Sequence, residues 1–119
     1  MDRPTEAGCI FCKIVRGDVP ATFAYQDDDV VAIEDLNPQA PHHLLVLPRK
    51  HYSDLNEMID RGDGRLAGSL LSAGAVLGRR RGGTGGFRLV VNTGSDGGQT
   101  VGHVHLHVLA GRSMGWPPG

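Results

Sequence analysis

Hydrophobic residues in the first part of the chain change their spacing from that of a helix to that of strands. Apolar residues recur at helical spacing over 9–15 before a polar, Gly-containing stretch, which predicts a short N-terminal helix with one apolar face. Residues 23–26 and 30–34 are rich in β-branched or aromatic side chains and flank the acidic residues 27–29, which predicts a hairpin. The continuous apolar run at 43–47, closed by a proline, predicts a strand buried on both faces.

Helical spacing returns in the middle of the chain. A capping-box-like Asp/Glu pair predicts a helical turn over 54–59. Apolar residues then recur on one face of a main helix over 65–78, although Gly68 and Gly74 within it each cost ~1 kcal/mol relative to Ala. The arginines at 79–81 follow this helix, and because cations interact favourably with a helix C-terminus we interpret them as its solvated end. Phosphate binding by this run is the alternative.

The last third of the chain predicts two more strands. Residues 87–92 and 103–109 are the strand candidates, and the polar, Gly-rich segment 93–102 connects them. Together with the earlier elements they predict an α+β fold with an antiparallel sheet of about five strands, one main helix and a short N-terminal helix. We expect a single domain over 1–119.

Charge and hydropathy exclude two classes of partner. Lys and Arg number 12 against 13 Asp and Glu, so the chain lacks the positive field that sequence-independent binding to nucleic acid requires. No apolar stretch approaches the ~20 residues that span a bilayer, and residues 1–4 lack the apolar core of a secretory signal. We therefore expect a cytoplasmic protein that binds neither nucleic acid nor membrane.

Histidines alternate with apolar residues over positions 103–108. Side chains alternate across a strand, so His103, His105 and His107 share one face at roughly 7 Å intervals while the apolar residues occupy the other. This pattern predicts one face for packing and one for chemistry. A metal site is the main alternative to catalysis, since imidazoles on one strand can share a cation.

A glycine-rich loop comes directly before these histidines. The glycines of residues 94–100 let backbone N–H groups turn inward and form an anion-binding nest, which predicts a phosphate beside His105. A plain connection is the alternative, but the position of the loop favours the phosphate.

The sequence of these segments resembles one family. Residues 97–108, Gly-Gly-Gln-Thr-Val-Gly-His-Val-His-Leu-His-Val, resemble the histidine-triad (HIT) signature, His-x-His-x-His followed by an apolar residue. The segments at 10–14, 35–41 with His43, and 112–119 resemble the nucleotide-binding branch of that superfamily. The resemblance covers nearly the whole chain and implies a HIT-like fold.

The resemblance implies roles for four histidines. In the family the middle histidine is the nucleophile, which carries over to His105 and a nucleotidyl-histidine intermediate that water hydrolyses. Neutral imidazole has the required lone pair when its other nitrogen donates to a fixed acceptor, and a backbone carbonyl would serve. His107 would contact the phosphate or its bridging atom, His43 would support the triad by hydrogen bonding, and His103 completes the catalytic set.

The resemblance also implies a purine nucleotide site. Asp35 matches the carboxylate that accepts both ribose hydroxyls. The phosphate contacts map onto Asn92, Gly98, Gln99 and Thr100. The apolar walls around the base map onto five residues, for which ordinary core packing is the alternative: Ile10, Phe11, Ile14, Ile33 and Leu36.

Members of this branch are homodimers, and the C-terminal segment reaches towards the partner's active site. The matching segment here is the tail 110–119, in which Trp116 would be the aromatic residue placed there. The two prolines after it restrict the tail to an extended course. A locally packed terminus is the alternative.

Two cysteines three positions apart point to a metal or to free thiols. Cys9 and Cys12 supply half of a tetrahedral zinc shell, and His51 and His103 match positions that complete it in zinc-bearing members of the family. Such a zinc would be structural, because four protein ligands leave no open position. Reduced thiols are the alternative, and a redox pair is disfavoured because no βαβ pattern surrounds the cysteines.

We therefore expect a hydrolase that releases purine nucleoside monophosphate from an amine joined through a P–N bond, without a catalytic metal. The alternatives are a dinucleoside polyphosphate hydrolase and a nucleotide-binding adaptor with incidental hydrolysis. Two departures from close relatives, Gly102 in place of a larger residue and the additional imidazole of His42, leave the pocket rim and the leaving group unspecified.

Overall fold

An antiparallel sheet carries the histidines. The computed structural model describes residues 8–119; residues 1–7, which include the stretch assessed for a secretory signal, lie outside it. The strands are β1 (Phe23–Gln26), β2 (Val30–Glu34), β3 (His42–Pro48), β4 (Phe87–Val91) and β5 (Leu106–Ala110). Their order in the sheet is β1-β2-β3-β5-β4, and every neighbouring pair is antiparallel. The predicted α+β class and five-stranded sheet are confirmed, and β3 is the central strand, buried on both faces.

Helices cover the two faces of the sheet. They are α1 (Ile10–Arg16), α2 (Leu55–Asp60), α3 (Gly64–Gly82) and a short 3-10 turn (Gly83–Gly85). One core lies between α2, α3 and the sheet, and a second lies between α1 and the other face. Among residues 8–119 no helix combines the length and the apolar character needed to cross a bilayer.

Local signals in the sequence account for several of these boundaries. Asp54 caps α2 by accepting a hydrogen bond from the N–H of Glu57 at 2.8 Å, while the Glu57 carboxylate accepts from the N–H of Ser53. Asp27 Oδ1 accepts from the N–H groups of residues 29 and 30 and so closes the β1–β2 hairpin. The predicted cap and hairpin are thus confirmed.

The main helix is longer than predicted. It continues through the three arginines to Gly82, so the expected end near Gly78 is wrong. Arginine is a good helix former, and Arg81 also pairs with Glu34 on β2, with Nη2 and Oε2 2.7 Å apart. Gly74 allows α3 to approach β5 closely, because a methyl group there would overlap the side chain of Leu106.

The last strand is shorter than predicted. It begins at Leu106, so only His107 of the three histidines lies on a strand and the predicted start at 103 is wrong. The backbone there has other partners: the N–H of Val104 donates to Tyr52 O at 2.8 Å, and His103 O contacts the ring of His105. Alternation still holds, since Val104, Leu106 and Val108 pack in the α3 core.

Candidate active site

A cleft of about 310 Å³ opens between α1 and the edge of the triad. Each of the five residues predicted for the walls of the base lies in its lining, and Leu36 stands at the rim with 97% of its surface exposed. Asp35, Thr100, His105 and His107 line it as well. The cleft therefore brings an apolar wall, a carboxylate and two imidazoles together.

His105 is buried and has one ring nitrogen engaged. Its Nδ1 lies 2.8 Å from the carbonyl oxygen of His103, so in the neutral ring Nδ1–H is the donor. The ring of Phe11 on α1 packs edge-on against it, with 5.1 Å between ring centroids. The remaining nitrogen, Nε2, therefore carries a lone pair.

A chain of hydrogen bonds fixes the protonation of the neighbouring imidazoles. The N–H of Gln39 donates to His43 Nδ1 at 3.1 Å, so the proton of the neutral His43 ring is on Nε2. His43 Nε2 in turn lies 2.9 Å from His107 Nδ1 and 3.4 Å from Asp35 Oδ2. Because His107 Nδ1 accepts a hydrogen bond from His43 Nε2–H, the proton of the neutral His107 ring is on Nε2.

Burial keeps these imidazoles neutral near pH 7. Desolvation, with a smaller contribution from the nearby rings of His105 and His43 and an opposing effect of Asp35, lowers the pKa of His107 to about 4. Burial also lowers the pKa of His43, against a smaller opposing effect of the Asp35 carboxylate. The set therefore offers one lone pair on His105 and one N–H donor on His107.

The loop before the triad uses its own hydrogen-bonding groups. The N–H of Gly98 donates to Ser95 O and that of Gln99 donates to Gly94 O, both at 3.0 Å. The side chain of Gln99 bonds Ser53 O and Val101 O, and Asn92 Nδ2 donates to Gly97 O. The backbone N–H groups of Gly98 and Gln99, which the predicted anion nest would use, therefore donate within the loop. Of residues 92–100, Thr100 lines the cleft.

A cluster of two cysteines and two histidines lies next to His105, since it includes His103. Cys9 Sγ lies 3.3 Å from His103 Nδ1, and Cys12 Sγ lies 3.3 Å from His51 Nδ1 and 3.5 Å from His103 Nδ1. One ligand atom from each of the four residues lies within 4.8 Å of the others. Ligand atoms around a tetrahedral zinc are about 3.4–3.8 Å apart, given its bond lengths. The four side chains therefore fit a zinc ion.

The hydrogen bonding of the cluster also suits a metal. His103 Nε2 lies 3.0 Å from Pro48 O, so it donates and leaves the Nδ1 lone pair facing the two sulfurs. Burial lowers the pKa of His103 to about 4, which favours the neutral ring that a metal needs. Cys9 caps α1, and Cys12 N donates to its sulfur.

The C-terminal tail leaves its aromatic residue exposed. Trp116 has 88% of its surface accessible and does not line the cleft. Arg88 on β4 holds this part of the tail through Gly115 O at 2.8 Å.

Several residues of the cleft were missed from the sequence. Val19, Pro20, Ala21, Leu45 and Val101 complete its apolar lining, and Glu34 lies at one side. Three of them follow α1 in an irregular segment whose position depends on how that helix packs, which no local pattern reveals. Gln39 acts through its backbone N–H, which carries no sequence signal.

Comparison with known proteins shows which family the sequence resembles. A sequence model of the HIT domain matches residues 16–114. The chain is 40% identical over 121 residues to a 14 kDa zinc-binding protein of Zea mays, covering 99% of this chain and 90% of the relative. It is 38% identical over 118 residues to Adenylylsulfatase HINT1 of Arabidopsis thaliana, covering 98% and 80%.

A solved structure extends the agreement to the fold. A HIT family hydrolase from Legionella pneumophila Philadelphia 1 superposes with a TM-score of 0.87 at 45% identity, covering 94% of this chain and 100% of that one. Because the domain model spans most of the chain and relatives align over nearly all of it, the chain belongs to the HIT superfamily, in its HINT-like branch.

Proposed function

We propose that this protein is a nucleotide hydrolase that releases purine nucleoside monophosphate from an amine joined through a P–N bond, with His105 as nucleophile. The observation that carries the proposal is the hydrogen bond between His105 Nδ1 and His103 O at 2.8 Å, which leaves a lone pair on Nε2 of a cleft-lining imidazole. The names of two relatives, a HIT family hydrolase and an adenylylsulfatase, support phosphorus chemistry at such a site.

Two displacements at phosphorus complete the proposed reaction. His105 Nε2 attacks the α-phosphorus, a P–N bond to the imidazole forms, and the P–N bond to the amine breaks as that nitrogen takes up a proton from solvent. Water then attacks the same phosphorus, the bond to His105 breaks and one proton of the water returns to solvent, which restores the neutral imidazole and releases the monophosphate. His107 Nε2–H donates a hydrogen bond to an oxygen or to the bridging atom and so stabilises the charge that develops there.

The rest of the cleft accommodates the nucleoside. The carboxylate of Asp35 is the acceptor for the ribose hydroxyls, and its contact with His43 joins the sugar site to the imidazole chain. Phe11, Ile14 and Ile33 form an apolar wall for the planar base. The Thr100 hydroxyl would be the loop group that contacts phosphate, because Thr100 lines the cleft.

Zinc and a second subunit belong to the same proposal. Cys9, Cys12, His51 and His103 would hold a structural zinc that fixes α1 against the triad and takes no part in the displacements. In a homodimer, the exposed Trp116 would reach the partner's cleft. A monomeric, fully active truncation lacking residues 112–119 would contradict this role of the tail.

The test is release of adenosine monophosphate from an adenosine phosphoramidate, with adenylyl sulfate and a diadenosine polyphosphate as competing substrates. Wild type releases the monophosphate with and without chelator, prefers the phosphoramidate, and loses the activity in His105→Ala. His42→Ala is the matched control, since His42 is adjacent to His43 in the sequence but does not line the cleft. No release by wild type, or equal release by His105→Ala, would overturn the mechanism; preference for a rival substrate would reassign the leaving group.

A further inference from the structure

The C-terminal tail contacts the segment that supports the imidazole chain. Arg112, two residues beyond β5, donates from Nε to Gln39 O at 2.9 Å. Gln39 is the residue whose N–H donates to His43 Nδ1 at 3.1 Å. One residue therefore connects the tail on one side with the imidazoles on the other.

The turn after β5 brings Arg112 to this position. Gly111 has a φ of +95°, and a Cβ there would lie 2.9 Å from Pro41 Cβ and 3.2 Å from His42 Cδ2. A side chain at 111 would thus be strained by its backbone and would push the tail away from residues 39–42. Glycine permits the close approach that the Arg112 hydrogen bond needs.

The segment that Arg112 holds is itself bonded internally. Gln39 Nε2 donates to Asn37 O at 3.0 Å, and the N–H of Asn37 donates to Asp35 Oδ1 at 2.8 Å. The segment 35–39 therefore carries both the cleft carboxylate and the N–H that sets the His43 tautomer. The carbonyl oxygen of Gln39, at the end of this segment, accepts a hydrogen bond from the Arg112 guanidinium.

We propose that Arg112 is a positioning residue, which holds Gln39 so that its N–H stays on His43 Nδ1 and the His43–His107 pair keeps one tautomer. Without that hydrogen bond, Gln39 moves and His43 exchanges between its two neutral tautomers. In the tautomer with the proton on Nδ1, His43 Nε2 has no proton to donate to His107. The fraction of molecules with a donating His107 Nε2–H then falls. This inference rests on the proposed function for its effect on rate, but not for its effect on tautomer.

Two variants of Arg112 separate the hydrogen bond from the charge. Arg112→Met keeps an unbranched chain as far as the position of Nε and removes the donor. Arg112→Gln loses the charge but places an N–H₂ group as many bonds from Cα as the arginine Nε. Arg88→Met is the matched control, because Arg88 also anchors the tail, through Gly115 O and Pro118 O, but has no bond to Gln39.

Turnover of an adenosine phosphoramidate gives the first measurement. Arg112→Met lowers kcat about three- to tenfold with little change in KM, as expected for one hydrogen bond, and Arg112→Gln recovers most of that loss. If kcat falls as far in Arg112→Gln as in Arg112→Met, the charge of Arg112 matters and the proposal is overturned. If kcat falls as far in Arg88→Met as in Arg112→Met, general docking of the tail explains the effect and the proposal is overturned as well.

Nitrogen-15 NMR of the histidine rings gives the second measurement, which is independent of activity. Wild type and Arg112→Gln show His43 with its proton on Nε2, and Arg112→Met shows exchange between tautomers. An unchanged His43 signal in Arg112→Met would overturn the proposal even if kcat falls. If wild type has no turnover, the proposed function fails, while the NMR result still decides the role of Arg112.

Discussion

His103 contacts His105 through its carbonyl oxygen and His43 contacts the neighbouring His107, and the two rings use their nitrogens in opposite ways. His103 donates from Nε2 to Pro48 O at 3.0 Å, which leaves the Nδ1 lone pair facing the sulfurs of Cys9 and Cys12. His43 accepts the N–H of Gln39 on Nδ1 at 3.1 Å, which leaves a proton on Nε2 facing His107. One backbone contact on each ring therefore decides whether it presents a lone pair or a donor.

Spacing alone does not separate the two clusters. The ligand atoms of Asp35, His43 and His107 lie within 4.8 Å of one another, as do those of the Cys/His cluster. A cation at His43 Nε2 would displace the proton that the Gln39 N–H keeps there, whereas a cation at His103 Nδ1 meets a free pair of electrons. The tautomers therefore favour the Cys/His cluster as the site of the proposed zinc, and hydrogen bonding in the other cluster.

The largest expected effect is loss of the metal from the Cys/His cluster. Cys12→Ser replaces a buried cysteine of the proposed zinc site, and at zinc concentrations a thousandfold above the Kd the lost stabilisation is about 4 kcal/mol. Thermal melts with added zinc show a lower Tm for the variant than for wild type, and chelator brings wild type close to the variant. A wild-type Tm that is the same with zinc and with chelator would contradict a structural metal.

The second effect should fall on rate and leave stability nearly unchanged. His107→Gln removes the imidazole donor of the cleft, and we expect kcat to fall roughly 100-fold, or about 2.7 kcal/mol, because the loss of one hydrogen-bond donor to the charge of a transition state typically costs that much. The metal content and the zinc-dependent Tm stay those of wild type. Together with Cys12→Ser this variant separates the two clusters; loss of zinc from His107→Gln would show that they are not independent.

Local patterns in the sequence predicted most of the fold. The hairpin, the buried strand and the N-terminal helix depend on side chains close together in the chain, such as Asp27 at its turn. The two wrong boundaries depend on distant partners. Arg81 at the end of α3 pairs with Glu34, and Val104 before β5 bonds Tyr52. No periodicity within a segment contains such contacts.

The candidate site shows the same division. Alternation placed the three histidines on one side and their apolar neighbours in the core, even where the backbone is not a strand. The tautomers were not predictable, because they depend on Gln39 N–H and Pro48 O, and main-chain groups are the same in almost every residue. The sequence therefore predicts which side chains lie together in the site. Their tautomers depend on backbone contacts that only the fold reveals.

The smallest expected effect is a pH dependence of stability that distinguishes the imidazole chain from the metal cluster. Burial lowers the pKa of His107 to about 4, while an unfolded histidine titrates near 6.5. As the pH falls from 6.5 towards 4, the unfolded chain binds a proton that the folded chain does not, so the free energy of unfolding decreases. For this partly exposed ring we expect a loss of about 1 kcal/mol between pH 7 and pH 5, allowing for solvent screening.

Urea denaturation of wild type and His107→Gln, both in chelator, isolates the contribution of His107 to this loss. His103 then titrates in both proteins, so its contribution cancels in the difference. The variant should lose less stability than wild type over this range. Equal losses would mean that His107 binds a proton as readily in the folded protein as in the unfolded one, which would contradict the lowering of its pKa by burial.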